Sequence, residues 1–371
     1  MNGENINIAD RPLRVLISPL DWGLGHASRI ITIVKLLQNY GVQVLIAADG
    51  TPAELLRKEF PAVEILALEG YGIRYSRNKK YFSYKLFAQF PAIYRAIRRE
   101  NSWLKTAIQE HSIDAIISDN RFGFYHSRIP SVYITHQLNI KTGKKWMNKL
   151  AQKIHYKYIN RFTECWVPDF ETGITLAGEL SHPDNFPTVP VKYLGPISRF
   201  KKQVGAITND LLIILSGPEP QRSIWERDLL NQVKKLDRNI VLVRGLPEAL
   251  DEMPATSGLT VYNHLPAATL EPLIKTSAMI LCRSGYSSVM DLVATGNKAL
   301  LVPTPGQAEQ EYLATYLMKE QLFFCCEQKD LMLETHLKLA LEFPQKRLPN
   351  DFMPLNENVI KKWIKALKAS I

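Results

Sequence analysis

The sequence predicts an α/β fold of two tandem Rossmann-like domains with parallel sheets and a cleft between them. Three observations predict it. The 371 residues exceed what a single core usually serves, roughly 100–200 residues. Short apolar runs rich in β-branched residues alternate with stretches of helical spacing, as expected of strands covered on both faces by crossover helices. The alternation runs twice, interrupted at residues 182–210 by a proline-rich polar segment that holds Gly195-Pro196.

In the first half, residues 13–18, 42–48, 63–68, 113–118 and 132–135 read as strands, and 27–39, 51–59 and 83–110 as helices. In the second half the strands are 211–216, 240–243, 259–262, 279–281 and 299–302, and the helices 222–235, 267–275, 287–294 and 307–317. Apolar positions at helical spacing over 356–369 suggest a last helix that packs back on the first domain. The expected division is therefore 1–200, 201–355 and a terminal helix, 356–371.

Composition narrows the function classes. Hydrophobic residues make up 46% and charged residues 22%, so both halves can bury cores and the disordered class is excluded. Residues 1–12 lack a signal-peptide pattern and no apolar run nears the roughly 20 residues of a spanning helix, so a cytoplasmic protein is expected. Cys165, Cys282, Cys325 and Cys326 have no metal-ligand spacing, which argues against a disulfide framework or zinc site. The net charge of +10 favours an anionic partner. No nucleic-acid motif accompanies it. Basic residues gather with aromatics over 74–105 and again over 141–161. That mixture suits peripheral contact with an anionic membrane at its inner face, or else a long helix with a solvated basic face.

In open parallel sheets, ligands bind beyond the carboxyl ends of the strands. After the first strand comes Pro19-Leu20-Asp21-Trp22-Gly23-Leu24-Gly25-His26-Ala27-Ser28-Arg29, running into a helix. Gly23 and Gly25 allow a tight turn and close approach to an acceptor or phosphate, and the helix start favours an anion. The spacing also begins a dinucleotide fingerprint, with Asp49 where a ribose-binding acid would stand, but Ser28 replaces the third glycine and His26 intrudes. The fourth strand ends at Asp119. A histidine and an aspartate above one sheet can form a general base and its partner, so His26 and Asp119 are the catalytic candidates, with Asp21 next. The alternatives are a helix cap or phosphate contact for His26, and a turn cap or a pair with Arg121 for Asp119.

In the second half, Cys282-Arg283-Ser284-Gly285-Tyr286-Ser287-Ser288-Val289-Met290-Asp291 follows a buried strand and opens a helix. Ser284, Gly285 and Tyr286 offer N–H groups to a diphosphate, and Asp291, about two turns in, offers a carboxylate to ribose hydroxyls. Glu309 and Gln310 begin a later helix and can hold sugar hydroxyls; singly, each of these features is also an ordinary structural motif.

Taken together, these motifs resemble glycosyltransferase family 28, and more distantly the plant UDP-sugar glycosyltransferases. The resemblance covers both domains and is most specific over residues 281–314. It implies the GT-B architecture, with Ser284, Gly285 and Asp291 holding diphosphate and ribose. Glu309-Gln310 matches the plant acid-Gln pair, although Leu313 replaces the plant Asn; Gln310, but not Glu311, matches the Gln-Gln of the bacterial enzymes. His26 falls on the loop histidine of both groups and Asp119 on the plant partner acid. Two departures stand out. Ser216-Gly217-Pro218-Glu219-Pro220 replaces a Gly-Gly-Ser loop and loses two N–H donors to proline, and Trp22-Gly23-Leu24-Gly25 replaces a Gly-Gly-rich run. No Asp-x-Asp occurs, so no metal and no cofactor beyond the UDP-sugar donor is expected. The expected reaction is inverting transfer of a hexose, N-acetylglucosamine or a related sugar, to an acceptor hydroxyl on a small molecule or a lipid-linked or cell-envelope precursor. The rivals are a UDP-sugar 2-epimerase of the same fold and a non-catalytic nucleotide-sugar binder.

Overall fold

The computed structural model describes residues 11–21, 24–72, 82–141, 145–202, 205–251, 253, 258–346 and 355–370. Among them, β1 (Arg14–Pro19), β2 (Gln43–Ala48), β3 (Ile65–Ala67), β4 (Ala115–Asp119), β5 (Ser131–Ile134), β6 (Glu164–Val167) and β7 (Val191–Tyr193) form one sheet in the order β3-β2-β1-β4-β5-β6-β7. A second sheet has the order β10-β9-β8-β11-β12-β13, from β8 (Asn209–Ile214), β9 (Ile240–Val243), β10 (Leu259–Tyr262), β11 (Ser277–Cys282), β12 (Ala299–Leu301) and β13 (Phe324–Cys325). All pairings within both sheets are parallel.

The lack of polar alternation in these strands follows from helices on both faces. Ile17, Ile46 and Ile117 pack with Ile30, Ile31 and Val34 of α1 (Leu24–Asn39). Leu16, Leu45 and Ile116 face the other way, onto Leu104 and Ala107 of α3 (Phe82–His111). The first apolar cluster continues into the second half through α7 (Tyr286–Thr295), whose Val289, Met290 and Val293 belong to it. Its other end takes in Ile360, Trp363, Ile364 and Leu367 of α10 (Glu357–Ser370). Trp363 lies edge-on to Trp166 of β6, with ring centroids 5.3 Å apart, and the Asn356 N–H donates to the Leu194 carbonyl at 2.6 Å.

Several elements differ from the sequence reading. The proline-rich segment 182–210 contains β7, an edge strand of three residues beside Pro190, so the crossing between sheets falls within residues 194–208. β6, β13, α4 (Lys145–Ile159) and α9 (Leu333–Glu342) are additional elements. α1 begins at Leu24 rather than Ala27, which puts His26 in its first turn. The remaining helices, α2 (Gly50–Glu59), α5 (Gln221–Val233), α6 (Ala267–Lys275) and α8 (Ala308–Lys319), lie within about two residues of their expected bounds.

Each strand order reverses direction once, between β1 and β4 in the first sheet and between β8 and β11 in the second. Neighbouring loops diverge at such a point and leave a crevice beyond the carboxyl ends of the strands. His26 and Asp119 flank the first crevice. The loop at Gly217 and the Ser284–Tyr286 junction flank the second.

Candidate functional site

β1 and β4 pair in register with Pro19 opposite Asp119, and the Leu20 N–H donates to the Asp119 carbonyl at 2.9 Å. Asn120 then adopts a left-handed φ of 61°, a conformation asparagine tolerates better than most residues. The Asp119 side chain is fully buried. Its Oδ1 lies 3.0 Å from His26 Nδ1 and also accepts from Arg29 Nη2, while Oδ2 accepts from Arg29 Nε at 3.0 Å. Burial alone would raise this carboxyl, but the charges of Arg29 and His26 prevail and hold it down at about 2. Asp119 therefore stays anionic throughout the neutral range. The alternative pairing with Arg121 does not form: Arg121 is buried 3.3 Å from Glu100 instead.

Opposite this group stands the start of α7. Gly285 is the residue before its first turn, in extended conformation, with no side chain capping the helix, so its first-turn N–H groups are left without a side-chain partner. The two halves touch here: Ser287 Oγ donates to the Gly25 carbonyl at 3.1 Å. A Cβ at Gly25 would lie 3.1 Å from that hydroxyl, so glycine permits the approach. Ser284 Oγ donates to the Gln310 carbonyl at 2.9 Å, and Gln310 Oε1 accepts the Thr304 N–H at 2.9 Å. Ser284, Gly285 and Gln310 thus form one group around the second crevice. Thr304, 2% exposed, has its hydroxyl unpartnered there.

Three expected donor-site residues are engaged by the opposite half or by the crossing segment. Glu309 Oε1 lies 2.7 Å from His136 Nε2, and its Oε2 accepts from Gln137 Nε2. Burial would raise the Glu309 carboxyl, but His136, His26 and Arg29 draw it below its ordinary value. Tyr286 is buried; its ring stacks on His136 with centroids 4.1 Å apart, and its hydroxyl donates to the Pro168 carbonyl at 2.7 Å. Asp291 Oδ1 accepts from Ser198 Oγ at 2.6 Å, so its carboxylate is turned to the crossing segment rather than left open for a ribose. Gly23 lies outside the described residues. Asp49 caps α2, accepting the Gly50 N–H at 2.8 Å. Asp21 accepts the Tyr71 N–H at 3.3 Å.

The sequence reading passed over Arg29, His136, Gln137 and Ser198. Arg29 was detectable as a charged residue one turn beyond His26 on a helix otherwise rich in isoleucine. His136 and Gln137 follow β5, next to β4, where strand-end residues gather.

Burial raises the Asp291 carboxyl from 3.8 to about 6, although Arg199 and the Ser198 hydroxyl oppose the rise. The folded state then retains a proton that the unfolded chain has released, so this group costs stability progressively from about pH 4 to pH 6 and fully above that. Asp291→Asn removes the cost. Denaturant unfolding should show the variant gaining on the order of 2 kcal/mol relative to wild type on going from pH 4 to pH 7.5. An equal difference at both pH values would show that Asp291 titrates alike in the two states.

Residues 226–362 match the Glycosyltransferase family 28 C-terminal domain. Across 92% of its length the chain is 24% identical to the UDP-N-acetylglucosamine–N-acetylmuramyl-(pentapeptide) pyrophosphoryl-undecaprenol N-acetylglucosamine transferase of Glaesserella parasuis serovar 5 (strain SH0165), likewise over 92% of that protein. Among solved structures it resembles MurG of Acinetobacter baumannii, with a TM-score of 0.54 and 16% identity over 96% of this chain and 100% of that one. It also resembles an Arabidopsis thaliana protein complexed with UDP-L-rhamnose, with a TM-score of 0.59 and 13% identity over 97% and 95% of the two chains. The chain is a glycosyltransferase of the GT-B fold whose C-terminal domain is of the family 28 type.

Proposed function

We propose that this glycosyltransferase moves a hexose, N-acetylglucosamine or a close relative, from a UDP-sugar to the hydroxyl of a lipid-linked acceptor, inverting the anomeric carbon and using no metal. The observation that carries the reading is the Gly25–Ser287 contact, which sets His26 and Asp119 against the uncapped start of α7. His26 Nε2 takes the acceptor proton as the acceptor oxygen bonds to the anomeric carbon. The bond from that carbon to the diphosphate breaks, and its electron pair leaves on the diphosphate. Free N–H groups and the dipole at the α7 N-terminus stabilise that charge. Attack and departure on opposite faces of the sugar give inversion. Ribose hydroxyls replace Ser198 on Asp291, and the sugar hydroxyls meet Glu309 and Gln310. The named activity of the Glaesserella relative supports both the donor and the lipid-linked acceptor.

A lipid acceptor requires contact with a membrane surface. Most of the basic and aromatic stretch that suggested one, residues 73–90, lies outside the described backbone or side chains. α4 supplies independent support. Trp146, Leu150 and Ile154 stand four residues apart and are 65%, 49% and 42% exposed, interleaved with exposed Lys149, Lys153 and Lys157. The other side of the helix buries His155 and Ile159. An apolar stripe bordered by cations suits an anionic interface. No helix among the described residues is long and apolar enough to cross a membrane.

Two measurements test these readings. With UDP-N-acetylglucosamine and a lipid pyrophosphate acceptor, His26→Ala should lower turnover about 100- to 10,000-fold, the usual contribution of a general base, with UDP affinity unchanged. Wild-type turnover in that variant, where chemistry limits the rate, rejects the base. Flotation with anionic vesicles should recover the wild-type protein and lose a Trp146→Glu, Leu150→Glu, Ile154→Glu triple variant of unchanged melting temperature. Equal recovery of the two rejects α4 as the membrane face.

A further inference from the structure

The Arg29 side chain is 1% exposed, so its charge serves no solvent contact. It lies one turn beyond His26 on α1, where residues three apart share a face. Its Nε and Nη2 take the two oxygens of Asp119 in the forked geometry that arginine offers a carboxylate. Nη2 also stands 3.0 Å from His26 Nδ1. Three groups therefore meet at one point, and His26 Nδ1 has two neighbours at the same distance: the Asp119 carboxylate and the Arg29 guanidinium. An ionised carboxylate only accepts hydrogen bonds and a guanidinium only donates them. Nη2 has two hydrogens, one of them spent on Asp119, but an unprotonated Nδ1 would set its lone pair against Asp119 Oδ1 at 3.0 Å, and that repulsion favours the ring proton on Nδ1, directed at Asp119. That leaves the lone pair of Nε2 free.

The charges in this cluster have a second consequence. An aspartate alone beside a histidine favours the imidazolium, the form that cannot act as a base. A guanidinium 3.0 Å away opposes it by like-charge repulsion, and in a buried setting that repulsion is weakly screened. Among the described residues, Glu309 on α8, itself paired with His136, also faces His26. Arg29 is thus the cation that offsets Asp119.

We propose that Arg29 is a positioning residue: its fork orients Asp119 so that His26 carries its proton on Nδ1, and its charge opposes that of the carboxylate beside the ring. The proposal rests on the reading of His26 as the base, but its test does not use turnover.

The full-length protein is labelled with nitrogen-15 at histidine, and His26 is assigned from the signal lost in His26→Gln. Its two ring nitrogens are then followed by NMR over pH. Wild type should show the Nδ1–H tautomer. Arg29→Gln, which can still donate to Asp119 but carries no charge, should move the His26 midpoint upward by about one pH unit or more, as expected when a neighbouring charge is removed. Arg29→Lys keeps the charge and should keep the wild-type midpoint, but one ammonium cannot match the fork, so its ring nitrogens should shift toward a mixture of tautomers. An Nε2–H tautomer in wild type overturns the proposal. So does an unchanged midpoint in Arg29→Gln, including the case in which that variant merely melts earlier. If Arg29→Gln does not fold, Arg29→Lys decides alone, and a ring still locked as Nδ1–H in it counts against the fork. Failure of the base reading is separate: it shows as wild-type turnover in His26→Ala and leaves these spectra unaffected.

Discussion

Asp119 is the constraint around which the first half of the site is arranged. An ionised carboxylate buried without partners costs several kcal/mol, so the fold must bring it a charge and hydrogen bonds. Both come from α1, through His26 and Arg29. α1 must then dock with its first turn directly over the junction of β1 and β4, and that docking carries Gly25 against Ser287 of α7. Satisfying one buried charge thus helps fix the distance between the two halves. The neighbouring buried Glu100 is met less fully: Arg121 stands 3.3 Å away and 5.4 Å from the Tyr71 ring centroid, and burial still raises the Glu100 carboxyl.

Three polar groups of the second half that were expected to meet the donor are already engaged. Glu309 is held by His136 and Gln137, Asp291 by Ser198, and the Tyr286 hydroxyl by Pro168. Replacing one good hydrogen bond by another is nearly neutral, whereas leaving a buried group unpaired is costly. A donor that exchanges its hydroxyls for these partners therefore enters without a large polar penalty. The continuous apolar cluster through α1 and α7 keeps the halves in contact meanwhile.

Much of the fold was legible because its strands are apolar on both faces, a pattern that needs helices above and below. What escaped had local reasons. β6 contains Glu164, which breaks the apolar run and is kept there by the Trp166 indole and Lys192. β7 is three residues long and sits in a proline-rich stretch, where composition suggests a loop. In α4 the lysines at 149, 153 and 157 drew attention to charge, although the same spacing of four marks a helix face. In the candidate site, strand-end logic singled out His26 and Asp119, which lie 3.0 Å apart, and the Ser284–Gly285 junction. It stopped short of His136 and Gln137 because β5 was read as one more buried strand. Asp291 stands at the expected helical position, but no local sequence signal reveals that Ser198, 93 residues away, bonds to it.

The proposed mechanism assigns acceptor chemistry to the first crevice and the nucleotide to the second. A crystal structure of the complex with UDP tests it most directly. Diphosphate oxygens should lie about 3 Å from N–H groups at the start of α7, with ribose hydroxyls on Asp291, Ser198 released and no nucleotide contact at Asp119. UDP seated instead at the β1–α1 turn, or a diphosphate remote from α7, would contradict it.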